Sequence, residues 1–252
     1  MLEVHDAALR YSGGPWLFQN LSFKLADGES CVMLGPNGTG KTTLMRAILG
    51  NIRLDVGRVL RTVQPAHVPQ RLEPVFDFSV RDIVLMGATA RQGRRLLSRP
   101  RLEDYDRADE ALDRVGLAAF AQRSFGSLSG GERQLVLVAR AVATGSKLII
   151  LDEPTAALDL GNEERVLSML EALKKSGATL LMSSHTPDHA LRIADRVLML
   201  YRDGSYTFGS TQHCLTDECL TRLYGLELTV REYEDTEGLH ATVARRMVRG
   251  IG

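Results

Sequence analysis

"ESCVMLGPNGTGKTTLMRAILG", Glu29 to Gly50, is the stretch from which the fold can be read outward. An apolar run, Cys31 to Leu34, reads as a buried strand; Lys41 to Leu49 has helical spacing and stops at Gly50. Between them, Gly35 to Thr43 matches G-x-x-x-x-G-K-[ST]. The bland reading is a glycine-rich connector. The functional one is a phosphate cradle, in which Gly35, Gly38 and Gly40 let backbone N–H groups converge on phosphate oxygens without Cβ obstruction. Gly35, Pro36, Asn37, Gly38, Thr39, Gly40, Lys41, Thr42 and Thr43 are then the candidate nucleotide-binding residues. Lys41 brings a full charge to the β- and γ-phosphates, and the Thr42 hydroxyl is the expected ligand of Mg²⁺.

A complementary motif lies downstream in "KLIILDE", Lys147 to Glu153. An apolar strand that ends in two carboxylates places Asp152 at the carboxyl edge of a sheet, where open α/β folds bind ligands. Asp152 can hold Mg²⁺ through water, and Glu153 can orient or deprotonate an attacking water. Around these motifs strand and helix patterns alternate: "ATLLMSS", "PDHALRIAD" and "RVLML" follow the helical "NEERVLSMLEALKKSG". That alternation predicts a parallel sheet with crossover helices. "RDGSYTFG" predicts a hairpin turned at Asp203-Gly204. Strand signal fades between Ser79 and about Ala143, which reads as a helical insert, and after Leu228 the pattern weakens into a mixed-charge tail in which "HATVARRMV" is a candidate short helix.

Composition narrows the field. Of 252 residues, 44% are hydrophobic and 25% charged, with 31 basic side chains against 31 acidic ones. Such a balance argues against a polyanion-binding surface, so nucleic acid is not an expected partner. No apolar run approaches the ~20 residues needed to span a bilayer, and "MLEVHDAALRYSGG" lacks the apolar core of a signal peptide. Cys31, Cys214 and Cys219 are too few and too scattered for a zinc site or a disulfide framework. His185 and His189 have the i,i+4 spacing of a zinc pair. Pro187 is better read as the first helical residue after a Thr186 cap, which leaves His185 outside the helix. The expected compartment is cytoplasmic.

"LSGGERQLVLVARAVATG", Leu128 to Gly145, adds a third motif. Ser129 and Glu132 have capping-box spacing, yet the first turn of the helix that they cap holds Gly130 and Gly131. Either the glycines are merely tolerated, or this helix start is an anion site cleared of side-chain bulk. With the cradle, the Asp152–Glu153 strand and "LSGGERQ" in one chain, residues 1 to about 225 resemble the ATP-binding-cassette (ABC) ATPases. That resemblance implies an α/β fold: a P-loop NTPase (RecA-like) core with an N-terminal antiparallel β subdomain and an inserted α-helical subdomain. The corresponding spans are 1–78 with 149–225 for the core and β subdomain, 79–148 for the helical insert, and 226–252 for a C-terminal tail.

The resemblance also implies roles. Tyr11 would stack on adenine; Gln70 would be the Q-loop contact to Mg²⁺ and water; Asp159 would lie in the D-loop; His185 would be the switch histidine on the γ-phosphate. Glu153, His185, Gln70 and Lys41 are thus the catalytic candidates, and Thr42, Gln70 and Asp152 the metal candidates. Ser129, Gly130, Gly131 and Glu132 would face ATP held by a second copy of the chain. A groove beside Gln70, with Phe76, Phe78, Ile83, Val84 and Met86 as candidate lining, would receive a helix from an integral membrane permease. The arginine-rich "RQGRRLLSRPR", Arg91 to Arg101, reads as a solvated loop paired with the acidic "LEDYDRADEALD" rather than as a lipid contact.

"VPQ…FSVRDIVLMG", "FGSLSGGERQLVLVARAVA" and "LTDECLTRLYGLEL" are similar to importers of metal chelates, a group covering iron–siderophore, haem, cobalamin and molybdate or tungstate systems. The implied setting is peripheral, on the cytoplasmic face of the inner or cell membrane, with a solute-binding protein as an indirect partner. Zinc and manganese importers and an ABC ATPase of cofactor assembly are the alternatives. Ala156 replaces a serine common before the D-loop, which puts one hydrogen bond in doubt.

Overall fold

The computed structural model describes residues 1–11, 13–74, 76–90, 99–235 and 238–245. In chain order the strands are β1 (Leu2–Arg10), β2 (Trp16–Leu25), β3 (Ser30–Leu34), β4 (Val56–Arg61), β5 (Ala66–Val68), β6 (Leu148–Leu151), β7 (Thr179–Ser184), β8 (Arg196–Leu200), β9 (Tyr206–Ser210), β10 (Leu228–Asp235) and β11 (Gly238–Arg245). The α-helices are α1 (Lys41–Leu49), α2 (Val80–Thr89), α3 (Leu102–Arg114), α4 (Gly130–Ala143), α5 (Leu160–Lys175), α6 (Pro187–Ile193), α7 (Thr211–Cys214) and α8 (Asp217–Tyr224). The chain is α/β, as the alternation implies. It divides into two compact units, one of Met1, Ala26–Gly28 and Arg61–Met182, the other of Leu2–Leu25, Glu29–Leu60 and Ser183 onward.

In the first unit β5, β6 and β7 run parallel, with Ala66 opposite Ile149 and Ile149 opposite Leu180. All four residues of β6 are buried, so the strand is apolar throughout rather than alternating. The helical part packs α2 and α3 against α4. Ile83, Val84, Leu112, Leu135 and Val138 are among its core residues. The two helices approach so closely at Gly87 that a Cβ there would lie 2.0 Å from the carbonyl oxygen of Arg140. Ser79 and Asp82 form a capping box at the start of α2. Ala118–Phe120 and Phe125–Ser127 form short 3₁₀ turns. Of the arginine-rich stretch, residues 91–98 lie outside the described ones; Arg101 pairs with Glu103 at 3.7 Å.

In the second unit β2, β1 and β4 form a sheet in that order, with β1 and β2 antiparallel, as expected of the β subdomain. The β1–β2 register shifts three times: one residue of β2 is extra between Trp16 and Phe18, and, farther along the pair, one is extra at Asp6 of β1 and one at Asn20 of β2. Asp6 and Asn20 have positive φ, 46° and 51°, as bulges ask of residue types that tolerate the left-handed region. Because the insertions at Asp6 and Asn20 offset each other, Leu2 and Val4 keep the same buried face as Phe18 and Leu21. Strand β3 runs parallel to β8, with Val32 opposite Val197, and β8 turns back into antiparallel β9 through Asp203-Gly204, where Gly204 has φ +80°.

The C-terminal segment departs from expectation. The described part of "HATVARRMV" is not helical: His240 to Arg245 belong to β11, which pairs with β10 in register from Leu228↔Arg245 to Asp235↔Gly238, and Arg246 to Val248 lie outside the described residues. The residues that looked helical alternate with period two once paired, and cross-strand partners supply what helical spacing did not. Among the described residues no helix is long and apolar enough to cross a membrane.

Candidate functional site

In the second unit, β3 delivers the chain into Gly35–Gly40 and α1 leads it away. A Cβ on Gly35 would lie 2.6 Å from the Leu200 carbonyl oxygen and 2.8 Å from Thr39 Oγ1, so only glycine fits where the loop leaves the sheet. Gly40 caps α1 in the left-handed region, φ 93°, and brings no side chain of its own to the cap. A helix start approached by a glycine backbone is suited to an anion. Lys41 is buried, and its Nζ donates to the Gly35 and Pro36 carbonyl oxygens at 2.6 and 3.2 Å, so the ammonium curls over its own loop. Thr39 Oγ1 donates to the Pro36 carbonyl at 3.0 Å and stiffens the same turn. Tyr11 is 54% exposed, with its hydroxyl 3.2 Å from Thr43 Oγ1, which leaves a ring against solvent beside the start of α1. Tyr11, the Gly35–Thr43 loop and His185 belong to this unit.

His185 follows the last residue of β7 and is exposed. Thr186 is the N-cap and Pro187 the first residue of α6, so His185 stands outside the helix, as the proline reading requires. His189 is buried, with Nδ1 2.8 Å from Ser184 Oγ, and shares no metal-binding face with His185.

In the first unit, the Asp152 amide donates to the Val68 carbonyl at 2.9 Å and prolongs the β5–β6 ladder by one step. Glu153 then adopts φ 44°, a left-handed conformation that costs a non-glycine residue about 1–2 kcal/mol. Such outliers concentrate at functional positions. The Gln70 amide donates to Glu153 Oε2 at 3.2 Å, so two of the catalytic candidates touch directly.

The helix that prompted the capping-box question starts as expected. Ser129 Oγ accepts from the Glu132 amide at 3.3 Å, while Glu132 Oε2 accepts from the Ser129 amide at 2.8 Å. The Ser129 amide first, and the Ser129 hydroxyl second, hold the Glu132 carboxyl below the ordinary carboxylate value. The two glycines have different surroundings. Gly130 is exposed, and a Cβ on it would meet only Leu158 Cδ2, at 3.6 Å. Gly131 is buried, and its Cβ would lie 2.2 Å from Asn162 Oδ1 and 2.5 Å from Asn162 Cβ. Asn162 in turn donates from its amide and its side chain to the two carboxylate oxygens of Asp159, both at 2.8 Å, which caps α5. Sequence reasoning missed Asn162; its spacing of three from Asp159 was a readable cap signal, but its packing on Gly131 was not.

The candidate groove lining divides. Phe76 is 72% exposed and stands edge-on to Phe78 at 6.2 Å, and Met86 is exposed. Ile83 and Val84 are excluded as lining, because they are fully buried in the helical core. On α2 the buried Val80, Ile83, Val84 and Gly87 recur at helical spacing, and Met86 lies off that stripe.

The ABC transporter family model matches residues 18–156, more than half of the chain. The chain belongs to that family, and it is an ATP-binding, ATP-hydrolysing domain with the ABC form of the P-loop NTPase fold. Among its relatives, it is 41% identical over 228 residues to the molybdate import ATP-binding protein MolC of Haemophilus influenzae, covering 90% of this chain and 89% of that one. It is 35% identical to the zinc transport system ATP-binding protein TroB of Treponema pallidum, over 89% of this chain and 86% of that one. An inward-facing ABC transporter of proposed metal-chelate type superimposes with a TM-score of 0.91 and 37% identity, over 98% of this chain and 97% of that one.

Proposed function

We propose that this chain is the ATPase subunit of an ABC importer for a metal chelate or an oxyanion of the molybdate class, acting as a dimer on a separate membrane permease. Zinc or manganese is the second cargo reading, favoured by the similarity to zinc and manganese transport proteins. The observation that carries the dimer reading is the second open helix start. The capping box takes the Ser129 and Glu132 amides, and beside it Gly130 is exposed with no side chain over its backbone, in a chain that already has a candidate cradle at Gly35–Thr43. Two anion-directed surfaces on one chain suit one triphosphate shared between two copies. Leu160, 85% exposed beside Asp159, is an apolar side chain of the kind that a partner copy covers.

In this reading Tyr11 stacks on the base, and the amides of Gly35 to Thr43 with the Lys41 ammonium hold the β- and γ-phosphates. Glu153, steadied by Gln70, takes hydrogen-bond control of a water and receives its proton as the water oxygen attacks the γ-phosphorus. The bond from phosphorus to the β–γ bridging oxygen breaks, and ADP keeps that electron pair. His185 donates to a γ-phosphate oxygen. The Thr42 hydroxyl, the Gln70 amide oxygen and the Asp152 carboxylate are oxygen donors, the set that a hard dication takes. Mg²⁺, were they to hold it, would supply neutralising charge to the phosphate oxygens. Before hydrolysis the γ-phosphate joins both copies; its loss removes the shared ligand and reopens the pair. The chain would then sit at the cytoplasmic face of the membrane through its permease, with Phe76 and Met86 in the docking surface.

The test is reconstitution with the permease and solute-binding protein in liposomes, with ATPase activity and uptake followed for molybdate, tungstate, an iron chelate, zinc and manganese. Stimulation and uptake by one oxyanion or chelate is the expected result. Stimulation by zinc or manganese alone would transfer the cargo to the second reading, and no response to a permease would remove the import reading.

A further inference from the structure

The chain beyond β9 converges on the backbone around His185. Tyr224, the last residue of α8, donates its hydroxyl to the His185 carbonyl at 3.0 Å. Burial pushes the Tyr224 phenol up from its ordinary value, so it stays a donor at every working pH. Three residues past His185, Asp188 Oδ1 accepts from Thr242 Oγ1 at 2.7 Å and from the Val243 amide at 3.0 Å, which fastens β11 to the first turn of α6. The hairpin is tied to α8 as well: Asp217 Oδ1 accepts from the Val230 amide at 2.8 Å, and Thr221 Oγ1 from the Leu228 amide at 3.3 Å. Gly225, φ +67°, ends α8 and turns the chain into β10. From the other side, Ser184 Oγ accepts from the Thr186 amide at 3.0 Å. The segment from Ser184 to Asp188 is thus engaged by four hydrogen bonds, one on the His185 carbonyl, two on the Asp188 carboxylate and one within the segment at the Thr186 amide, while His185 is exposed.

We propose that α8 and the β10–β11 hairpin are a brace for the switch loop, with Tyr224 as a positioning residue that acts through His185. This rests on the reading of His185 as the γ-phosphate contact. An imidazole meets a phosphate oxygen productively only within a fraction of an ångström, and exposed His185, in the two-residue connection from β7 to α6, depends on its backbone being held for that tolerance. Tyr224 bonds the very residue that must be aimed, and Asp188 stops the helix start behind it from shifting. A tie that served stability alone would have no reason to depend on the imidazole.

That difference is testable in the full-length chain with Tyr224→Phe, Thr242→Val, His185→Ala and the Tyr224→Phe/His185→Ala pair. Steady-state kcat and KM for ATP and thermal midpoints are measured for each. Tyr224→Phe should lower kcat about five-fold, the rate equivalent of one neutral hydrogen bond, with KM within about two-fold of the parent. Thr242→Val should do the same more weakly, about two-fold, which keeps the idea exposed should Tyr224→Phe fold poorly. His185→Ala should lose more, and Tyr224→Phe should cost nothing further on that background. An equal kcat loss on both backgrounds, or an unchanged kcat in Tyr224→Phe and Thr242→Val, would overturn the brace. Parental turnover in His185→Ala would instead remove the switch role of His185 and the brace with it.

Discussion

Gly130 and Gly131 are neighbours of one residue type with different constraints. Gly131 has no room, because the Asn162 side chain fills the space that a Cβ would need. Gly130 has room and is exposed, so the argument for glycine there is access. Gly131→Ala should therefore destabilise the isolated protein by about 1–3 kcal/mol, the cost of overpacking. For a chain of this size that corresponds to a thermal midpoint lowered by roughly 2–10 °C. Asn162→Ala combined with it should restore most of the loss, and failure to do so would dissociate Gly131 from Asn162. Gly130→Asp should leave the midpoint and ATP binding to the monomer near those of the parent, yet prevent ATP-dependent pairing, because a carboxylate then opposes phosphate. Pairing retained in that variant would remove the access argument. Lys41→Ala should weaken ATP binding itself, as followed by a fluorescent nucleotide; unchanged affinity would contradict the cradle role of this ammonium.

Helix α4 shows how a single element combines stability with a proposed recognition surface. Its capping box satisfies orphan N–H groups within the chain and leaves the Gly130 turn open to solvent. The Glu132 carboxyl is held below its ordinary value by the Ser129 amide first and the Ser129 hydroxyl second. A carboxylate depressed in the folded state contributes stability that is fully present above its unfolded value of 4.5 and disappears as pH falls through the lower folded value. Acid titration of thermal stability should show this loss in the parent and a shallower one in Glu132→Gln; superimposable acid limbs would refute the assignment. The boundaries of this helix were legible because caps are local, as were those of α1, whose Gly50 stop has φ +83°. The β10–β11 hairpin was not legible, since no turn signal of the Asn-Gly type separates its strands and its pairing is what makes it strand.

At the scale of the whole molecule, the proposed cycle requires binding and turnover to be separable. Glu153→Gln keeps the hydrogen-bonding shape of the side chain but removes the proton acceptor. It should abolish turnover and accumulate an ATP-bound dimer, visible by size exclusion and lost on replacing ATP with ADP. A variant that stays monomeric at saturating ATP would count against one nucleotide shared by two copies. Cross-linking from a cysteine placed at Ser129 to one placed near the cradle of another copy would give the geometry directly.

The candidate motifs were written in the sequence alone. Gly35 to Thr43, Asp152 with Glu153, and Ser129 to Glu132 are short local motifs, and their backbone conformations follow from residues within a few positions of one another. The class of fold followed too, because alternating strand and helix patterns admit few arrangements. Tertiary structure alone decided which residues support those motifs. Asn162 against Gly131, Tyr224 on the His185 carbonyl, and Thr242 on Asp188 join positions 31 to 54 residues apart, without a periodicity or spacing to announce them. Contacts of that range are selected by how packed surfaces meet, and a one-dimensional pattern carries no record of the meeting.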